Sequence, residues 1–214
     1  MKLIVIAKAP VPGRSKTRLC PPCTPDEAAR VAKAALWDTL DACRGTAVDD
    51  RVLVLDGSPG SWAEGFRVIA QRGHGLDDRI ANAFADAGPD PDGSVLLGMD
   101  TPQVKSELLQ AAMATLRTPG VDGVLGPAAD GGWWAMGLRR PIPAHVVGVP
   151  MSSPRTLHSQ RVRWDQLGVG RIELPELRDI DTFEDALAVA DMIPGSRTAA
   201  VVESLDQRMA VGAW

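Results

Sequence analysis

The sequence has few cysteines, no excess of positive charge and no long apolar run, and each shortage argues against a class of protein. Its three cysteines leave one without a partner, which argues against a disulfide framework and for a reducing cytoplasm. A formal net charge of -4 argues against a generally basic nucleic-acid surface, so any anion site must be local. No apolar run approaches the length of a membrane span, and the opening MKLIVIAKAP is too short for a signal peptide.

Two of the cysteines, Cys20 and Cys23, form the motif CPPC, which would suit a redox or a zinc site. A thioredoxin-like motif opens a helix, whereas this double proline precedes the predicted helix start. The histidines are scattered at His74, His145 and His158, so no second ligand pair completes a zinc site. We therefore interpret CPPC as part of a loop.

Apolar runs of strand length recur along the chain, whose 45% hydrophobic and 23% charged residues suit one globular domain. Continuous apolar runs are typical of buried parallel strands. The predicted strands are LIVIA (3–7), RVLVLD (51–56), RVIAQ (67–71), SVLLG (94–98) and VDGVLG (121–126).

Helix signals lie between these runs. The longest predicted helix has Thr24 as its N-cap, Pro25 at its first position, Glu27 completing a capping box and Gly45 as its end. Its inward stripe is predicted to be Ala28, Val31, Ala32, Ala35, Leu36, Thr39 and Cys43. Further helices are predicted within 76–88, 104–117, 153–168 and 181–193, followed by a short terminal helix after residue 194.

This alternation predicts a three-layer α/β fold with a mostly parallel central sheet and helices on both faces. We expect a domain over residues 1–192 and a C-terminal helical tail over 193–214. LIVIA and SVLLG are the most apolar runs and should be central. Ligands of such sheets bind beyond the carboxyl ends of the strands, so the loops that follow strands are the candidate site.

The loop after the first strand, KAPVPGRSKTRL (8–19), carries four cations. Residues 15–18 could present backbone N–H groups and positive charge to a phosphate. An ordinary P-loop is rejected because its first glycine is absent. Lys8 and Arg14 are also compatible with a solvated basic turn, the alternative for the whole loop. The candidate nucleotide-binding residues here are Pro12, Gly13, Lys16 and Arg18.

Asp100 follows the SVLLG strand, where an Asp or Thr before a proline is an ordinary helix cap. Thr101 is better placed to cap, with Pro102 starting the next helix, which leaves the Asp100 carboxylate free. Mg²⁺ typically uses one or two carboxylates together with ligand phosphates. Asp100 is therefore a candidate metal ligand beside the cationic loop.

The segment GPAADGGWWAMGL (126–138) combines Asp130 with two glycines and two tryptophans. Asp-Gly-Gly is compatible with a hairpin into WWAMGL, and the glycine-flanked Asp130 is also placed to act as a general base in a cleft. Trp133 and Trp134 should point to opposite faces of a strand, so that one is core and the other is free to wall a pocket.

A last acidic pair, Asp179 and Asp181, is separated by one residue. On a strand the two would share a face and suit a metal, whereas at a helix start they would interact with the macrodipole. Both interpretations stay open for Asp181, and the helix start is favoured for Asp179.

Taken together, these stretches resemble a family of small bacterial glycosyltransferase-A-like proteins, the rSAM/selenodomain-associated transferase 1 family. The resemblance extends from residue 2 to about residue 190. It implies a nucleotide-diphospho-sugar transferase fold, close to the guanylyltransferases of molybdenum-cofactor and deazaflavin-cofactor synthesis. The matching motifs are KAPVPGRSKTRL, GLDDRIANAF, LLGMDTPQV, GPAADGGWWAMGLR, VPMSSPRTL and LPELRDIDTFEDAL.

By that resemblance, Lys16 and Arg18 match the phosphate-binding loop and Asp100 matches the metal-binding Asp. Asp130 matches an acid on the acceptor side, and Asp181 matches the Asp before the late helix. The candidate acceptor pocket is accordingly Gly131, Gly132 and Trp133.

Two departures from the family pattern bear on base and acceptor preference. Asp77 replaces a glycine in GLDDR (75–79), a loop expected near the nucleotide, where Asp78 is taken as nucleotide-binding. Trp133 stands where a tyrosine is frequent.

The predicted function is a Mg²⁺- or Mn²⁺-dependent transferase that uses a nucleotide donor and a small-molecule acceptor. Asp100 and Asp181 would hold the metal, and Asp130 and Lys16 would be catalytic. Glycosyl transfer from a nucleotide-diphospho-sugar is favoured, because the chain lacks the Gly-Gly opening of most sugar nucleotidylyltransferases. The alternatives are a guanylyltransferase-like enzyme acting on a small phosphorylated acceptor and a non-catalytic nucleotide-binding protein.

Overall fold

The computed structural model describes residues 1–211, and seven strands and six helices make up most of it. The strands are β1 (Lys2–Lys8), β2 (Asp50–Asp56), β3 (Arg67–Ala70), β4 (Ser94–Leu97), β5 (Gly123–Pro127), β6 (Trp133–Leu138) and β7 (Arg171–Glu173). The helices are α1 (Pro25–Gly45), α2 (Leu76–Ala87), α3 (Ser106–Leu116), α4 (Thr156–Gln166), α5 (Phe183–Met192) and α6 (Arg197–Val211).

The strands form one sheet in the order β3-β2-β1-β4-β6-β5-β7. β6 is antiparallel to β4 and β5, and the other neighbouring pairs are parallel. The mostly parallel α/β fold is thus confirmed, with β1 and β4 central as predicted. Because β5 runs in the same direction as β4, the turn between β5 and β6 emerges at the same edge as the loops after β1 and β4.

The predicted capping box of α1 is present, and α5 has a second one. In α1 the Thr24 hydroxyl accepts the Glu27 N–H at 3.3 Å, and in α5 the Thr182 hydroxyl accepts the Asp185 N–H at 3.2 Å. Every residue of the predicted inward stripe of α1 is buried. These caps satisfy backbone donors that a helix start leaves unpaired.

Helix α6 packs against α1 and α5, and its Ala199, Val202 and Leu205 are buried in a shared apolar cluster. The Asp38 carboxylate of α1 accepts the backbone N–H and the hydroxyl of Thr198 at 2.8 and 2.7 Å, which fixes the start of α6. The division of the chain at residue 192 stays a prediction, and residues 212–214 of the predicted tail lie outside the described part. Within residues 1–211, no helix has both the length and the apolar character needed to cross a membrane.

Three details of the predicted secondary structure were wrong. β3 lies at the edge of the sheet, pairs with β2 alone among the strands of residues 1–211, and is mostly exposed and not buried. α3 begins at Ser106, since the residues after Thr101 form a turn in which the Val104 N–H donates to the Thr101 carbonyl. The short strand β7 was not predicted, and it offers only Ile172 as an apolar signal.

Candidate functional site

A cleft of about 840 Å³ opens at the carboxyl edge of the sheet, where the loops after β1, β4 and β5 meet. The cleft brings together most of the residues singled out in the sequence. Those lining it are Lys16, Arg18, Asp100, Asp130, Gly132, Trp133 and Asp181. Within the described part of the chain, its lining does not include Pro12, Gly13, Asp78 or Gly131.

The cationic loop ends in a short 3-10 turn, Thr17–Leu19, entered through Lys16 in the left-handed conformation with φ 50° and ψ 42°. The buried Ser15 hydroxyl fixes the loop by accepting the Val11 N–H and donating to the Ala9 carbonyl, both at 3.1 Å. The first N–H groups of a helical turn have no acceptor within the turn, so this segment offers backbone donors as well as charge.

Lys16 is the most enclosed charge of the loop, with 8% of its side chain exposed. Its Nζ lies 2.7 Å from Asp100 Oδ1 and 3.8 Å from Asp181 Oδ1, and it also donates to the Ile180 carbonyl. Arg18 is 70% exposed, and its Nη1 lies 2.8 Å from Asp181 Oδ2. The predicted phosphate-binding cations therefore contact the predicted metal-binding carboxylates directly.

A backbone hydrogen bond holds the two acidic loops together. The N–H of Ile180 donates to the Asp100 carbonyl at 3.0 Å, and the Ile180 side chain is fully buried. Asp181 is thereby carried to the edge at which β4 delivers Asp100.

Asp130, Asp179 and Asp181 form a carboxylate cluster in which one oxygen from each residue lies within 4.8 Å of the others. Burial, followed by the charges of Asp130 and Asp181, raises the pKa of Asp179 to about 6. The donor set of hard oxygens fits Mg²⁺ or Mn²⁺. The helix-start interpretation of Asp179 was wrong, because the acids in the first turn of α5 are Glu184 and Asp185.

The turn that carries Asp130 is a hairpin, as predicted, and it also faces the cleft. Asp130 Oδ1 accepts the Gly132 N–H at 2.7 Å. Gly131 has φ +87°, and a Cβ there would lie 2.3 Å from the Pro154 carbonyl oxygen, so the close approach of α4's leading segment requires glycine.

The paired tryptophans face opposite sides of β6, as predicted. Trp134 is buried, and its Nε1 donates to the Pro175 carbonyl at 3.0 Å. Trp133 is half-buried and lines the cleft with Met151, and its Nε1 has no hydrogen-bond partner among residues 1–211.

Sequence reasoning missed a polar network at the β2 side of the cleft. Gln71 donates to the Ala7 carbonyl at 2.7 Å, and its Oε1 accepts Arg79 Nη1 at 3.1 Å. Arg79 Nη1 also lies 3.0 Å from Asp56 Oδ2. The sequence did contain one indication of this network: Asp56 and Gln71 lie at the carboxyl ends of β2 and β3, the edge of the sheet where ligands are expected to bind.

The two acids of GLDDR have structural contacts. Asp77 Oδ2 accepts the Gly148 N–H at 2.9 Å, which lowers the pKa of Asp77 and ties the first turn of α2 to the segment before α4. Asp78 packs against Gly73, where a Cβ would come within 2.9 Å of the Asp78 Cβ.

Comparison with known proteins identifies relatives of the chain. Residues 27–153 match the family described as "Uncharacterized protein conserved in bacteria (DUF2064)". The chain is also 32% identical over 205 residues to 3-phospho-D-glycerate guanylyltransferase of Phenylobacterium zucineum (strain HLK1), covering 91% of this chain and 92% of that protein.

Solved structures share the fold. A protein of Desulfovibrio desulfuricans G20, assigned as a nucleotide-diphospho-sugar transferase, superposes with a TM-score of 0.82 at 24% identity, covering 96% of this chain and 95% of that one. Rv0371c of Mycobacterium tuberculosis H37Rv, in complex with manganese, gives a TM-score of 0.54 at 20% identity and covers 90% and 99%. The structures confirm the predicted fold, and the guanylyltransferase relative confirms the predicted transferase class.

Proposed function

Because the chain belongs to the family described as "Uncharacterized protein conserved in bacteria (DUF2064)", and a 32% identical relative is a guanylyltransferase, we propose that it is a metal-dependent nucleotidyltransferase. The donor is GTP and the acceptor is a small phosphorylated acid of the 3-phospho-D-glycerate type. The single observation that carries the proposal is the meeting of the Lys16–Arg18 loop with four carboxylates in one cleft. The narrower assignment to the selenodomain-associated transferases stays a prediction.

The reaction joins two phosphates. An oxygen of the acceptor phosphate attacks the α-phosphorus of GTP, and the bond from that phosphorus to the oxygen bridging the β-phosphate breaks. The electron pair leaves with pyrophosphate. A phosphate monoester is largely dianionic at neutral pH because its second pKa is about 6, so its oxygen is nucleophilic without a general base. This favours a metal-binding role for Asp130 over the base expected from the sequence.

The carboxylates that would hold a divalent cation are Asp130, Asp179 and Asp181, whose oxygens converge. Asp100 is a fourth candidate, because it shares the ammonium of Lys16 with Asp181. A bound Mg²⁺ or Mn²⁺ would supply charge neutralisation and orientation of the phosphates.

Lys16 and Arg18 would contact the phosphates of GTP. Positive groups held near the scissile bond stabilise the charge that grows on the leaving pyrophosphate. The N–H groups of Thr17 and Arg18, at the start of that turn, would add neutral donors to the same phosphates, whereas the Leu19 N–H donates to the Lys16 carbonyl.

The test combines the purified protein with Mn²⁺, 3-phospho-D-glycerate and one donor at a time. Pyrophosphate release with GTP, together with a product heavier than the acceptor by one guanylyl group, supports the proposal. Transfer of sugar from a nucleotide-diphospho-sugar without pyrophosphate release would favour the glycosyltransferase alternative. Nucleotide binding with no turnover of any donor would favour the non-catalytic alternative.

A further inference from the structure

The Asp181 carboxylate belongs to two groups of side chains. It pairs with the two cations of the phosphate-binding loop, and it is also one of the three carboxylates proposed to hold a metal. Its Oδ2 lies 2.8 Å from Arg18 Nη1 and its Oδ1 lies 3.8 Å from Lys16 Nζ. The same carboxylate belongs to the cluster with Asp130 and Asp179. One negative charge is therefore shared between the phosphate-binding cations and the metal-binding carboxylates.

A divalent cation on this cluster would compete with both side chains for Asp181. It would draw the carboxylate by its double charge and repel the guanidinium and the ammonium, which lie within 4 Å of that carboxylate. Arg18 is 70% exposed, so it can leave Asp181 without breaking apolar packing. Lys16 keeps Asp100 at 2.7 Å and would move less.

We propose that Asp181 couples metal binding to phosphate binding. Without a metal, the ion pairs with Asp181 occupy Arg18 and neutralise part of the charge of Lys16, so both side chains bind the phosphates of a nucleotide more weakly. When a metal binds, Asp181 turns to it and both cations become available to the phosphates. The coupling is reciprocal by thermodynamic linkage, so phosphates that engage Arg18 also strengthen metal binding. The inference rests on the proposed function in taking a nucleotide as the phosphate ligand and the carboxylate cluster as the metal site.

The first experiment measures Mn²⁺ affinity by calorimetry without any nucleotide. Arg18→Met removes the competitor for Asp181 and should tighten Mn²⁺ binding by about fivefold or more, the lower range of such couplings. Arg14→Met is the matched control, because Arg14 is an exposed cation lining the same cleft and makes no ion pair within residues 1–211. Equal effects of the two substitutions would mean general electrostatics and would overturn the inference.

The second experiment measures GDP affinity in EDTA. Asp181→Asn should tighten GDP binding by about fivefold or more. Asp130 belongs to the same cluster but forms no ion pair with Arg18 or Lys16 within residues 1–211, so Asp130→Asn removes the same charge and should change GDP affinity much less. The gain should disappear when Arg18→Met is added. Equal gains for both Asn variants, or no GDP binding by any variant, would overturn the inference.

The two arms separate the possible failures. A positive Mn²⁺ result with no nucleotidyl transfer would contradict the proposed function and leave the link between metal and Arg18 supported. Nucleotidyl transfer by the protein, with variants whose Mn²⁺ and GDP affinities match those of their controls, would support the proposed function and contradict the link between metal and Arg18.

Discussion

Lys16 and Asp100 form an ion pair of 2.7 Å across the carboxyl edge of the sheet. The pair exists because β1 and β4 are parallel neighbours, with Val5 opposite Leu97, so that the loops leaving them meet. The Lys16 side chain is 8% exposed and that of Asp100 is 41% exposed, so the ammonium is enclosed and the carboxylate faces the cleft. The pair places a positive charge at the cleft wall in a fixed position.

Replacing Lys16 by methionine should weaken GTP binding tens-fold with the fold retained. The loss of one charge-assisted contact is worth about 1.5–3 kcal/mol. Asp100 is partly solvated, so losing its partner should not unfold the protein. Calorimetric titration with GTP and Mn²⁺ measures the effect, and circular dichroism checks the fold. Lys8→Met, at an exposed cation lining the same cleft, should lose far less, and equal losses would contradict a specific role for Lys16.

Asp179 should make the stability of the metal-free protein depend on pH. Burial and the neighbouring Asp130 and Asp181 raise its pKa from 3.8 to about 6, so ionising it is harder in the folded state than in the unfolded chain. Between these two values the folded protein binds more protons, and stability therefore falls as pH rises through that window. Above that window Asp179 is ionised in both states, and the folded protein carries the full free-energy cost of ionising it.

It follows that Asp179→Asn should raise the Tm at pH 7.5 in EDTA, and that this gain should shrink as the pH is lowered towards 4. Mn²⁺ should reduce or reverse the advantage, because the ionised Asp179 would then be one of the proposed metal ligands. Thermal unfolding followed across pH with and without Mn²⁺ provides the measurement. A gain that is the same at every pH would show that the Asp179 carboxyl does not titrate as its surroundings imply.

Asp130→Asn should separate the two roles considered for this residue. The amide oxygen of asparagine can still accept the Gly132 N–H, so the turn should be kept. Because the Asp130 charge raises the pKa of Asp179, its removal should leave the Tm of the metal-free protein unchanged or slightly higher. Metal affinity and nucleotidyl transfer should both fall, because an amide is a weaker ligand than a carboxylate. Excess Mn²⁺ should restore part of the activity if Asp130 is a metal ligand. An activity loss that no Mn²⁺ concentration relieves would instead support the general base.

The sequence predicts the fold and most of the cleft because local signals and strand order suffice for them. The apolar runs of β1 and β4 mark central strands, and a central strand delivers its following loop to the carboxyl edge. Lys16 and Asp100 could therefore be expected at one place. The capping boxes at Thr24 and Thr182 are visible in sequence because a cap involves residues only three positions apart.

What the sequence does not reveal are contacts made across the sheet. The spacing of Asp179 and Asp181 shows that they can share a face, but not that the turn bearing Asp130 closes on them. The ion pair between Arg79 and Asp56 joins α2 to the end of β2, and no local sequence pattern predicts it. The sequence also does not show that Asp181 pairs with Arg18 and at the same time belongs to a cluster of three carboxylates.

The glycine at position 126 should prove essential to the strand that supports the Asp130 turn. A Cβ on Gly126 would lie 2.4 Å from Trp134 Cε2, and Trp134 is buried and held by its hydrogen bond to Pro175. Because the indole cannot retreat, Gly126→Ala should lower the free energy of unfolding by about 1–3 kcal/mol, the usual cost of overpacking.

Gly98→Ala is the control for this substitution, since a Cβ at Gly98 would meet no atom within 4 Å. It should change stability by less than about 0.5 kcal/mol. Urea unfolding of both variants gives the comparison. The overpacked variant should also bind Mn²⁺ more weakly, because β5 carries the chain directly into the turn that presents Asp130. Equal stability of the two variants would mean that β5 and Trp134 can separate at little cost, and the position of Asp130 would then not depend on their packing.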